Sequence, residues 1–262
     1  MNTLTLLSII LFVLMILIGG NRGVRSFISL FINFGILMLT VILMLDSDVN
    51  PMIITIVSCA VISCINLFFI NDVNRKTGTA FLSTIVTIVI LLLFIDFVSS
   101  VSMTQGFGEE QSDALAPFSL FVGVDFAKIG ASVVIISTIG AITEVAISIT
   151  SSMGETLKHH PAISRKELFL SGMRIGKDIL GTDTNTLFFA FFGGYLALLI
   201  WFKDLHYTLG EIVNSRIFGS EMITIFCAGI GVALIIPITS WINAYFSMKA
   251  REKQQNVKQE DI

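Results

Sequence analysis

Seven stretches of this chain run for about 20 residues with almost no charge, at 2–20, 26–45, 52–70, 79–101, 127–151, 182–202 and 221–248. A helix rises ~1.5 Å per residue, so ~20 apolar residues cross the ~30 Å hydrocarbon layer of a bilayer. Strands of a membrane barrel would instead alternate apolar and polar residues. The pattern therefore predicts an all-α fold, a polytopic helical membrane protein with about seven transmembrane helices. Charged residues make up 13% of the chain, against roughly 25% in soluble domains. A soluble domain is excluded, and no nucleic-acid partner is expected. The first run lacks a basic region before it and a cleavage site after it, so it is expected to stay as the first span.

Lysine and arginine set the orientation, because cytoplasmic loops are enriched in them. With the turn after the first span inside, only Lys128, Lys203 and Arg216 of the 16 basic residues fall outside. The expectation is a multi-pass protein of a cytoplasmic membrane, N-terminus outside and C-terminus inside, with residues 249–262 as a charged, frayed cytoplasmic tail. Cys59, Cys64 and Cys227 lie within apolar runs without ligand spacing and read as small buried hydrophobes.

The informative region is 140–194. An acid inside a span costs about 3 kcal/mol on insertion scales, so such residues are rare and usually functional. Ser137, Gly140, Glu144, Ser148 and Ser151 follow helical spacing and share one face of the fifth span. Asp183 and Thr186, with Asn185 beside them, mark a second polar stretch at the start of the sixth. Small residues permit close helix approach, so the two faces are expected to meet, with both carboxylates in the cytoplasmic half of the bilayer. Glu144, Ser148, Asp183, Asn185 and Thr186 are the candidate proton or substrate path. The competing reading is that Glu144 only hydrogen-bonds serines and joins helices, and that Asp183 complements a helix dipole.

Between those spans, Ser164-Arg165-Lys166-Glu167 has the form of a capping box, Ser164 capping and Glu167 at the third position. It predicts an amphipathic helix lying in the inner interface plane, a cytoplasmic elbow in which Arg174 and Asp178, four apart, can pair. The alternative is a solvated linker. His159-His160 lacks metalloprotease spacing. Gly181-Thr182-Asp183 lacks the second glycine of the intramembrane aspartyl protease motif. No nucleophile elbow or phosphate loop occurs. No enzymatic activity, catalytic residue, cofactor or metal is expected.

Three stretches are similar to the YibE/F family of bacterial multi-pass membrane proteins. They are Gly19-Gly20-Asn21-Arg22-Gly23-Val24-Arg25-Ser26 with Leu30 and Asn33; Gly140 to Ile149; and Ser164 to Phe169 continuing through Gly172, Gly176, Asp178, Gly181 and Thr184-Asn185-Thr186-Leu187. The family pattern usually has Asp where this chain has Glu144, and it does not include Asp183. With no room for an extracytoplasmic domain, the chain resembles the shorter, YibF-like half. The resemblance implies residence in a bacterial cytoplasmic membrane and a YibE-like partner carrying such a domain, in a homo- or hetero-oligomer. It implies no known activity. A fainter likeness is to the proton-driven SecD/SecF export family. Two functions follow as expectations: a permease or transport-complex subunit, proton-coupled through an intramembrane carboxylate, or a non-transporting scaffold.

Overall fold

The computed structural model describes residues 2–46, 48–102 and 126–260. Among them the secondary structure is helical throughout. The elements are α1 (Thr3–Met44), α2 (Pro51–Cys64) running into a π-helical turn (Ile65–Phe69), α3 (Arg75–Ser102), α4 (Phe126–His159), α5 (Arg165–Gly194), α6 (Leu196–Asp204), α7 (Leu209–Asn214) and α8 (Arg216–Glu260). Residues 103–125, between the fourth and fifth apolar runs, lie outside the described residues.

α1 is not one straight rod. Gly20 has φ 53° and ψ −134°, a conformation open to glycine. Phe12 and Phe27 would be about 22 Å apart along a continuous helix, yet their ring centroids lie 4.7 Å apart. The chain therefore turns back at Gly20, and the runs 2–20 and 26–45 form two antiparallel arms. A Cβ on Gly23 would fall 1.8 Å from the Met15 carbonyl oxygen, so the arms cross only because a glycine is there.

The second arm runs antiparallel to α2. Asn50 caps α2 by accepting from the Met52 amide at 3.0 Å, and Pro51 opens the helix where its missing N–H costs nothing. Three contacts fix the register from end to end. Thr40 and Ser58 share a 2.6 Å hydrogen bond, Asn33 Nδ2 donates to Asn66 Oδ1 at 2.7 Å, and Arg25 pairs with Asp72.

The core lies where α3, α4 and α8 meet, with Leu91, Ile142 and Ile235 fully buried. Here Gly231 of α8 faces Leu91 and Ile142, at 2.9 and 3.1 Å from an ideal Cβ. Further along, Asn243 accepts from Thr79 at 3.2 Å and approaches the Met153 sulfur at 3.5 Å. Cys59 and Cys227 are buried as expected, but Cys64 is exposed.

One end of the bundle collects the Gly20 turn, Arg25–Asp72, the Lys76–Glu155–Lys158 cluster and a clamp in which Arg251 donates to the carbonyls of Pro161 and Ile163 at 2.7 and 3.0 Å. This is the basic end. α8 simply continues as a helix to Glu260, and Arg251 ties it to the α4–α5 turn.

The region after Pro161 departs further from expectation. The capping box is present: Ser164 N donates to Glu167 Oε2 at 3.0 Å and Glu167 N to Ser164 Oγ at 3.2 Å. The helix it starts, however, is not a separate interfacial elbow. It runs unbroken from Arg165 to Gly194, packed antiparallel on α8. The reason is steric. Gly172 sits against Ser240 and Met153, and Gly176 against Ile236, with a would-be Cβ only 2.2 Å from Ile236 Cγ2. Those glycines remove the side chains that would hold the helix off α8. The expected span 182–202 is instead broken at Tyr195, where α6 bends away by 49°.

Two local predictions arise here. Ser164→Ala should cost about 1 kcal/mol at the helix start, and Arg251→Ala should release the Pro161 turn. Limited proteolysis should then cut near Pro161 faster in each variant than in the parent, and unchanged cutting in both would contradict the described turn. A second capping box, unread in the sequence, starts α7: Thr208 N donates to Glu211 Oε2 at 2.7 Å and Glu211 N to Thr208 Oγ1 at 3.3 Å. The backbone and hydroxyl bonds from Thr208 hold the Glu211 carboxyl below its usual range. A depressed folded pKa gives stability above the ordinary carboxylate range that is lost as pH falls through the folded value. The protection of the Glu211 amide against hydrogen exchange, after correction for the intrinsic pH dependence of exchange, should therefore fall on acidification, and Glu211→Gln should remove that fall.

Candidate functional site

The serine-lined face of α4 exists but points outward. Val133, Ser137, Gly140 and Glu144 are exposed, and Ser148 and Ser151 are half-buried, while Ile142, Val145 and Ile149 on the opposite side are buried. The helix repeat forces this division: residues at intervals of three and four share a side, and the apolar set is used by α3 and α8. Ser137 Oγ spends its donor on the Val133 carbonyl at 2.8 Å. Glu144 makes no hydrogen bond or ion pair to any other described residue. A carboxylate at span depth thus faces away from its own chain.

Its depth follows from neighbours. Ile142 lies level with Gly231, so Glu144 lies within one turn of that level toward the basic end. On α5, Thr184 packs by Gly229 and Gly176 by Ile236. Asp183 is therefore within about one helical turn of Glu144 in depth, as expected. Both lie near the middle of the apolar stretch of α8, not in its basic half. The two polar faces do not close on each other. α4 and α5 come together at Met153 and Gly172, near the basic end, and beyond it α5 follows α8. Asp183 is half-buried, whereas Asn185 and Thr186 are exposed, and Thr186 Oγ1 donates to its own helix at the Thr182 carbonyl, 2.9 Å. The candidate residues therefore lie on two separate open lateral faces and line no enclosed path.

The elbow residues divide. Ser164 and Glu167 form the cap. Arg174 and Asp178 make no ion pair with each other among the described residues, and both are exposed. Lys177 and Asp178 fall between the levels of Ile236 and Gly229, inside the apolar stretch of α8. Long basic side chains can reach from there to the headgroups. An open cleft of about 690 Å³ sits below them, lined by His159, His160, Glu167, Ser171 and Arg174. Among the described residues, no group of three or more His, Cys, Asp or Glu is placed to hold a metal ion.

Reading the sequence for carboxylates missed the amides. Asn33, in the second arm of α1, pairs with Asn66 inside the π-helical turn, and Asn33 Oδ1 is buried without a partner among the described residues. π-Turns recur at functional sites because they re-aim one side chain within a helix. The signal was available: Asn33, Asn66 and Asn243 are amides inside apolar runs.

A sequence model of YibE/F-like proteins matches residues 7–249, and the chain belongs to that family. No curated protein matches it. No solved structure matches it.

Proposed function

We propose that this YibE/F-like protein is a transport-complex subunit of the cytoplasmic membrane, and that Glu144 is its proton-carrying group. The observation behind the reading is the outward-facing Glu144, alone on its own chain, on a face of small and hydroxyl residues. Hydrocarbon is a poor environment for a carboxylate. Such a face calls for a covering protein surface, and small residues allow a partner helix to approach closely. The partner in this reading is a YibE-like protein, a choice that the family resemblance supports. Among the described residues five helices are long and apolar enough to cross a membrane, and counting the bent α5–α6 pair as one span gives six. Taking the two arms of α1 separately gives seven, with the basic end cytoplasmic and the N-terminus outside. The test is proton-dependent solute flux in vesicles holding this chain with and without its partner. Flux that needs both chains and a pH gradient supports the reading; a pair that assembles but moves no solute leaves the scaffold function in its place.

A further inference from the structure

At the basic end, α3 and α8 part to form an open cleft of about 490 Å³ that contains Arg75, Gly78, Leu82, Phe246 and Lys249. Its chemistry is divided. Arg75 and Lys249 are exposed at the mouth, and neither side chain makes a hydrogen bond or ion pair to another described residue. Leu82 and Phe246, 41% and 44% exposed, form an apolar wall. Among the described residues, no carboxylate lines the cleft. Two hydroxyls reach it, but both donors are taken: Thr79 Oγ1 and Ser247 Oγ donate to Asn243 Oδ1 at 3.2 and 3.3 Å. What remains to meet a ligand is a pair of cations next to an apolar surface.

The position of the cleft selects among anions. Trp241 and Tyr245 of α8 are exposed and stacked with centroids 6.3 Å apart, and Arg165 lies 4.8 Å over the Tyr245 ring. Exposed Trp and Tyr gather at the membrane–water boundary. Phe246 and Lys249 follow within one turn, so the two cations lie at headgroup level and Leu82 lies on the hydrocarbon side. A free anion would have no use for the apolar wall. An amphiphile with a phosphate head uses both.

We propose that this cleft binds one anionic phospholipid, its phosphate held between Arg75 and Lys249 and an acyl chain lying on Leu82 and Phe246. Basic pockets between spans on the cytoplasmic side are suited to such headgroups. A bound lipid would also bridge α3 and α8, the helices that Thr79 and Asn243 already join.

The test is native mass spectrometry of the full chain after equilibration with equal phosphatidylglycerol and phosphatidylcholine. The parent protein should retain phosphatidylglycerol preferentially. Arg75→Gln and Lys249→Gln should each lower that preference about fivefold, and the double variant about 25-fold. Gly78→Phe keeps both cations but fills the floor, where a Cβ now meets nothing within 4 Å; it should lower the preference as well. An unchanged preference in the double variant overturns the site. Sensitivity to the cations but not to Gly78→Phe also overturns it, because that is diffuse surface attraction. Displacement of the lipid by millimolar inorganic phosphate would show a free-anion site instead and likewise contradict the proposal.

Discussion

Glu144→Gln should abolish proton-driven flux while leaving the protein folded and assembled. Gln keeps the size and hydrogen-bonding capacity of the side chain but cannot titrate. Positioned proton transfer commonly contributes 10² or more to a rate, so a loss of about 10²-fold or greater is expected. Glu144→Asp should retain part of the activity, since it shortens the reach by one methylene but keeps the carboxyl. The scaffold alternative makes the opposite prediction. If Glu144 serves only as a hydrogen-bonding contact, Gln is harmless and Ala is the damaging change. Flux measured for the three variants across a pH series separates the two, and full activity of the Gln variant at every pH would exclude a proton carrier.

The second large effect concerns packing. Gly176→Leu puts a branched side chain where a Cβ alone would lie 2.2 Å from Ile236. Overpacking of this kind costs about 1–3 kcal/mol, and α5 must tilt off α8 to relieve it. For a chain of this size the melting midpoint should fall by about 2–12 °C. Gly181→Ala is the control. Nothing lies within 4 Å of its would-be Cβ, so the change should be neutral or mildly stabilising through helix propensity. Equal melting of the two variants would contradict the close α5–α8 contact.

The apolar runs were legible because a span must satisfy its own backbone as a helix, and length alone then fixes the element. The turn at Gly20 was legible from its glycines, and the Ser164–Glu167 cap from its spacing. α5 was misread for a physical reason. Its first half carries Arg165, Lys166, Arg174 and Lys177, and charge in a linear sequence argues for an interface. The opposing evidence is three-dimensional: Gly172 and Gly176 are four apart and fit onto Ser240 and Ile236, residues 68 and 60 positions away in the chain. Glu144 was found by rarity, but its direction was not. Helical spacing says which residues share a face, and only the packing of α3 and α8 says which face is left over. The Asn33–Asn66 pair depended on the antiparallel register of α1 and α2 and on a π-turn, which no local pattern announces.

The outward face of α4 can be probed directly. A photo-crosslinking amino acid in place of Ser137, about two helical turns from Glu144 on the same face and exposed, would report what touches that face in native membranes. A partner subunit over Glu144 predicts a discrete, higher-mass adduct containing a second polypeptide, lost when the same probe is placed at the buried Ile142. Adducts to lipid alone at Ser137, in membranes where the complex is present, would contradict the covered carboxylate on which the proposed function rests.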